Sequence, residues 1–219
     1  MLVLALDAAL SRCSAAVVAG GDLLAAREID AIQNHAGLLP AMARDVLHDA
    51  ALTVASLDLV AATVGPGSFT GIRAALALAH GIALAGRIQV VGVTVGEALA
   101  DSLPALGQRE LWVAIDSRRG RVFLERGESI VSVHVDSLLP PAAKVALAGD
   151  AAPAVAARLA ALDADVMLTD ARLPMARHVA VVAQHRVAGR LRPLPALPLY
   201  VDPPEARLPA AGLRPAPVG

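Results

Sequence analysis

Residues 65–73, Gly-Pro-Gly-Ser-Phe-Thr-Gly-Ile-Arg, limit what this chain can fold into more than any other stretch. They stand between an apolar run at 57–64 and an amphipathic one at 74–85. A strand has to end there, turn sharply and open a helix. Gly65, Gly67 and Gly71 free the backbone, and Ser68 or Thr70 caps the helix. Such a turn presents backbone N–H groups at the positive end of a helix dipole, where α/β proteins hold phosphates or dock another chain. Arg73 is placed to meet an anion there. The simpler reading is that the three glycines only ease the passage from strand to helix. The stretch has neither the spacing nor the lysine of GxxxxGK[ST], so it is not a P-loop.

The rest of the chain keeps the same rhythm. Apolar runs at 2–6, 14–18 and 23–29, the last two separated by Gly20-Gly21-Asp22, read as three strands. Leu38, Leu39, Met42, Val46 and Leu47 recur at helical spacing and predict a helix over 34–50, in which Pro40 marks a bend or a late start. Residues 57–64 make a strand, the helix after the turn runs to 85, 89–93 return as a strand and 95–103 as a helix. Pro104 and Gly107 mark a boundary. Beyond it, 111–115 and 121–125 form a hairpin around Ser117-Arg118-Arg119-Gly120. Strands follow at 129–135, 144–147 and 166–169. Asp150 caps a helix reaching 162, and 176–188 is a helix. Both halves run strands first and then α/β alternation. The expected fold is therefore α/β with a lobe at 1–103, a reduced second lobe at 108–192 and a proline-rich extension at 193–219. That extension suits neither a central strand nor a helix and is expected to run over the surface.

With 56% hydrophobic residues in 219, the chain can bury a sizeable core. A net charge of −1 argues against a strongly basic nucleic-acid surface. Cys13 is the single cysteine, which excludes a disulfide framework and a cysteine metal site. Residues 74–85 are bounded by Arg73 and Arg87 and contain His80, too short a run to span a membrane. The N-terminus opens directly on a strand pattern. A cytoplasmic protein without membrane contact is expected.

Catalytic constellations are sparse. Ser14 and Ser68 have no histidine in their local motifs, and Cys13 reads as a buried, inert thiol. His178 and His185 lie on one helix face with no acidic or cysteine ligand at matching spacing, so no metal is expected. Asp7 is followed by Ala8-Ala9-Leu10-Ser11, with no glycine to let a phosphate approach the backbone, and reads as a cap for local N–H groups. No catalytic residue is assigned.

Taken in order, Asp7, Arg12-Cys13-Ser14, His35, the 65–73 turn, Ala-Ile-Asp-Ser-Arg-Arg-Gly at 114–120 and Leu-Tyr-Val-Asp-Pro-Pro at 199–204 resemble the bacterial TsaB family, also called YeaZ. The resemblance implies the two-lobed fold shared with actin, heat-shock ATPases and sugar kinases. It implies a non-catalytic subunit that binds TsaD. TsaD transfers a threonylcarbamoyl group to N6 of adenosine 37 in tRNAs reading ANN codons, and the small ATPase TsaE completes the complex. Catalytic relatives hold a metal partly through HxxxH. Here Leu39 stands four residues after His35, and His48 is too distant to replace the missing ligand.

The resemblance further implies that the helices at 34–50 and 74–85 pair with their counterparts in TsaD, or with a second copy when TsaD is absent. Leu38, Leu39, Met42 and Val46 on the first helix and Ala74, Leu78 and Ala85 on the second are the expected contact residues. Small residues there let two helices approach closely. No cofactor is expected in the chain itself; ATP or ADP with magnesium is assigned, if anywhere, to the partner interface. Arg118, Arg119 and Arg121 form either a solvated turn or an anion or tRNA contact, with tRNA otherwise reached indirectly. Tyr200 is expected to anchor the extension. The rival readings are a small-molecule kinase or metallopeptidase of this fold, and a stand-alone homodimeric binding protein.

Overall fold

The computed structural model describes residues 1–30 and 35–202, with the backbone alone at 35 and 36. Expectations that rest on Asn34, the His35 side chain and residues 203–219 lie outside the described residues. The first sheet opens with an antiparallel meander, β1 (Leu2–Asp7), β2 (Arg12–Ala19) and β3 (Asp22–Asp30). Two parallel strands, β4 (Leu59–Gly65) and β5 (Gln89–Thr94), complete it in the order β3-β2-β1-β4-β5. β1 and β4 are apolar almost without a break, and both take central places with both faces covered. On one face Leu4, Leu6, Val60, Ala62 and Val64 meet α1 (His35–Asp49) and α2 (Phe69–Gly86). On the other, Val3, Ala5, Leu59 and Ala61 meet Val179, Ala180 and Ala183.

The second sheet repeats the first. β6 (Glu110–Asp116), β7 (Val122–Arg126) and β8 (Ser129–Val133) are antiparallel, and β9 (Val145–Ala148) and β10 (Val166–Leu168) run parallel to β6. Their order, β10-β9-β6-β7-β8, has the connectivity of the first sheet. The connection that carries α1 in the first half is reduced here to a 3-10 turn at Val135–Ser137. A cavity of about 490 Å³ walled by Trp112, Leu124, Val131, Val133 and Leu138 lies beside it.

Three local outcomes differ from the expectations. Asp150 does not cap the helix after β9: α4 (Ala152–Ala160) starts from Ala151, while Asp150 Oδ1 accepts the Asp116 N–H at 2.9 Å and fastens the end of β6. Residues 176–187, assigned by sequence to the second lobe, form α5 (Ala176–Val187) against the first sheet. The buried Ser14 hydroxyl accepts the Ala176 N–H at 2.9 Å, so it holds the start of α5. Finally, α2 has 18 residues and is apolar enough to cross a bilayer by length and composition alone, contrary to the sequence expectation. Its buried residues Ile72, Ala75, Leu76, Ala79 and Ala83 nonetheless pack it into the core of the first half.

The proline-rich extension straps this half as far as residue 202. Gly92 donates to the Leu194 carbonyl at 3.0 Å and Leu199 donates to the Val64 carbonyl at 2.9 Å. A Cβ on Gly92 would lie 2.6 Å from the Pro195 carbonyl oxygen, so only glycine admits the strap at that height. α3 (Val95–Asp101) opens on a capping box, Thr94 with Glu97.

Candidate functional site

Within the 65–73 turn, the N–H groups of Ser68, Gly71 and Ile72 are bonded within the chain. β4 ends at Gly65, and the chain folds back onto the β1–β2 connection. Ser68 donates its N–H to the Ala9 carbonyl at 2.7 Å, and its hydroxyl accepts the Gly71 N–H at 3.2 Å as the cap of α2. A Cβ on Gly67 would stand 2.3 Å from the Ala9 carbonyl oxygen, and one on Gly71 would stand 1.9 Å from that of Ala8. The glycines therefore seat the turn, backbone against backbone, on the loop that follows Asp7. The Ser68 and Gly71 N–H groups are thus taken up within the chain, in keeping with glycines that ease the passage from strand to helix. The Thr70 side chain stands exposed at the start of α2.

Asp7 lies fully buried beneath this contact. Its Oδ1 accepts the Thr63 hydroxyl at 2.6 Å and the Ala9 N–H at 3.1 Å, in keeping with a capping role. Burial pushes its carboxyl up to about 7. Cys13 is also buried, with its thiol pushed up to about 12, so it is no nucleophile. His178 Nδ1 pairs with Asp101 at 2.8 Å. Among the described residues, no three His, Cys, Asp or Glu side chains are grouped to hold a metal ion.

Arg73 is exposed and bonded to the strap. It donates from Nη2 and Nε to the Tyr200 hydroxyl at 2.6 and 3.2 Å, and its guanidinium lies 3.8 Å over the Phe69 ring. This clasp ties the strap to α2. Of the three hairpin arginines, Arg121 turns back to the Ser132 carbonyl and leaves the expected contact. Arg118 and Arg119 stay at the tip, where Asp116 Oδ1 accepts the Arg118 N–H at 2.8 Å. The tip, the turn and the strap together enclose a cavity of about 800 Å³.

The expected helix interface is only partly outward. Leu39, Met42 and Val46 are buried in the chain's own core against the first sheet, so they are not contact residues. Leu38, Ala74 and Leu78 are half-buried and Ala85 is exposed. Leu84, which the sequence argument passes over, is 83% exposed. It stands with exposed Ala77, Gly81 and Ala85 on the side of α2 away from Ile72, Ala75, Leu76, Ala79 and Ala83. Helical angle reveals Leu84, since it falls about 120° round the helix from the centre of that buried set.

Sequence reasoning also misses Glu125. From β7 its carboxylate reaches across to α3, accepting the Thr94 hydroxyl at 2.7 Å and the Gly96 N–H at 3.2 Å. Burial first, and the neighbouring Glu97 charge after it, push the carboxyl up to about 7. A raised folded value means that the fold keeps a proton which the unfolded chain loses above the ordinary carboxylate range. Stability is therefore full near pH 4–5 and falls as pH climbs to about 7, with Asp7 contributing in the same direction. Glu125→Gln removes the charge while its Oε1 accepts the Gly96 N–H and its Nε2 donates to the Thr94 hydroxyl oxygen. We expect denaturant titrations to show a loss on the order of 3 kcal/mol less for this variant than for the wild type between pH 5 and pH 8. An unchanged pH slope would remove Glu125 as its source.

Three comparisons place these features. The profile of the family described as tRNA N6-adenosine threonylcarbamoyltransferase, TsaD, matches residues 29–183. The tRNA threonylcarbamoyladenosine biosynthesis protein TsaB of Escherichia coli K12 is 32% identical over 124 residues, 56% of this chain and 53% of that protein. The match thus spans about half of that relative's length. The Mycobacterium tuberculosis H37Rv protein Rv3421c is 34% identical over 217 residues, covering 94% of this chain and 93% of that one. The solved structure of YeaZ from Pseudomonas aeruginosa superposes with a TM-score of 0.75 at 27% identity, over 91% of this chain and 99% of that one. With its twice-repeated sheet in the two-lobed actin-like arrangement, the chain belongs to the TsaB (YeaZ) family.

Proposed function

We propose that this chain is a non-catalytic, cytoplasmic subunit of the machinery that forms threonylcarbamoyladenosine at position 37 of tRNAs reading ANN codons. It binds the catalytic subunit TsaD through the outer face of α2, works with TsaE, and pairs with a second copy through the same face when TsaD is absent. The observation that carries this reading is the apolar outer stripe of Ala77, Gly81, Leu84 and Ala85, which nothing in the chain's own described fold covers. The absence of catalysis is supported by the turn itself. Its backbone fills the space beside Asp7, its Ser68 and Gly71 N–H groups are bonded within the chain, and no glycine opens residues 8–11. These residues do not fit a nucleotide's phosphates. ATP or ADP with magnesium is accordingly assigned to the TsaD side of the interface.

Reconstitution tests the proposal. TsaD, TsaE, tRNA and threonylcarbamoyl-adenylate are expected to give modified tRNA at least about tenfold faster with this chain than without it, and the chain alone is expected to give none. Equal rates with and without it would end the reading, as would turnover by the chain unaided.

A further inference from the structure

The cavity between the two halves collects nearly all of the chain's aromatic side chains. The sequence has two phenylalanines, one tyrosine and one tryptophan, and Phe69, Phe123 and Tyr200 all line this one space of about 800 Å³. In a chain so poor in rings, three of four in one cavity is a concentration that core packing does not require. Phe69 and Tyr200 are 59% and 57% exposed, so their hydrophobic surface is not used inside the fold. Their ring centres lie 6.5 Å apart with planes inclined by 40°, and the Arg73 guanidinium covers one face of Phe69. The two exposed rings form a platform at the cavity, with Arg73 bonded to the Tyr200 hydroxyl beside it.

Across from the platform the β6–β7 tip contributes Arg118 and Arg119. Asp202 is the one carboxylate in the lining among the described residues, and its Oδ2 accepts the Ser132 hydroxyl at 3.1 Å. Asp116 stands behind Arg118, 4.0 Å from its Nε. Among the described residues the lining thus sets three arginines, Arg73, Arg118 and Arg119, beside the exposed rings. Exposed rings beside arginines are how proteins hold an unpaired nucleotide: the base stacks on a ring or a guanidinium plane, and the phosphodiester meets the cations.

We infer that this cavity takes an unstacked nucleotide of a single-stranded RNA segment, with its base on the Phe69–Tyr200 platform and its phosphate toward Arg118 and Arg119. A free nucleotide shares that chemistry. The strand is the occupant argued here because the platform rings stand exposed, where a base within a chain reaches them, and because the Ser68 and Gly71 N–H groups at the turn are bonded within the chain and so withheld from a terminal polyphosphate. The inference extends the proposed role in tRNA modification by giving this chain a direct RNA contact.

The test is fluorescence anisotropy on the full chain with a labelled RNA hairpin carrying a seven-nucleotide loop. A duplex of the same length without a loop and unlabelled ATP serve as competitors. The hairpin is expected to bind at least about tenfold more tightly than the duplex, with ATP a weak competitor. Phe69→Ala is expected to weaken hairpin binding about tenfold. Arg118→Ala with Arg119→Ala should lower the salt dependence by one to two counterions, about 0.7 per lost phosphate contact on a single strand. Tyr200→Phe keeps the ring while removing the tie to Arg73, and is expected to retain binding. Equal affinity for hairpin and duplex, ATP competing as well as the hairpin, or a folded Phe69→Ala chain binding like wild type would each overturn the inference. The measurement uses this chain alone, so it can fail while the reconstitution with TsaD succeeds, and the reverse.

Discussion

Replacing Leu84 with glutamate is expected to leave the chain folded and to weaken its association with TsaD, or with a second copy, by about a hundredfold or more. The side chain is 83% exposed, so it adds almost nothing to the fold, and surface substitutions of this kind stay within about 0.5 kcal/mol. In a helix-to-helix contact the same position would be covered. A carboxylate buried there without a partner costs about 3–5 kcal/mol, or more than two orders of magnitude in affinity. Gly81 supports the close approach. It lies in the interior of α2, where glycine costs about 1 kcal/mol relative to alanine, and a Cβ there would meet nothing within 4 Å. No contact among the described residues requires that glycine, whereas a second helix passing close to it would. Sedimentation of the variant alone and calorimetric titration with TsaD measure the effect, with circular dichroism as the control for folding. A folded Leu84→Glu chain that associates like wild type would remove this face from the interface. Leu39→Glu is not an equivalent test, because Leu39 is wholly buried against the first sheet and a charge there unfolds the chain.

The contrast between Leu39 and Leu84 shows how much of the molecule its sequence displays. Strands and helices are legible almost throughout, because unbroken apolar runs such as β1 and β4 can only be central strands, and Ser68 marks the start of α2 chemically. Which face of a helix meets its own sheet is less legible. Leu38, Leu39, Met42 and Val46 are all apolar at helical spacing, and that pattern is the same for a core face and a docking face. α5 returns to the first sheet from the far end of the chain, a choice made by packing at long range that no local pattern records. Glu125 is hidden for the same reason: its partners Thr94 and Gly96 lie about thirty residues away, and only the fold brings them together. The 65–73 turn is the instructive case. Its glycines are correctly read as permitting close backbone approach, but the group that approaches is the chain's own loop after Asp7.

Gly71→Ala follows from that contact and is expected to destabilise the chain by about 3 kcal/mol or more, a fall in Tm of about 6–12 °C for a protein of this size. In an open helix the same change would favour folding, by up to about 1 kcal/mol. Here the added methyl would stand 1.9 Å from the Ala8 carbonyl oxygen and 3.1 Å from its carbonyl carbon. Both neighbours are backbone, so neither can rotate aside as a side chain would. Relief requires the first turn of α2 to lift away from the β1–β2 connection. That movement breaks the 2.7 Å bond from the Ser68 N–H to the Ala9 carbonyl and loosens the cap from the Ser68 hydroxyl to residue 71. It also draws Ile72 from the core and disturbs the clasp of Arg73 with Tyr200. Gly81→Ala, ten residues along the same helix, supplies the opposite sign: with open space around it, alanine is expected to raise the stability of the isolated chain by about 0.5–1 kcal/mol. Thermal melts of the two variants separate helix propensity from the seated turn. If Gly71→Ala melts at or above the wild-type temperature, the turn does not rest on Ala8, and the backbone that fills the space beside Asp7 is not held there.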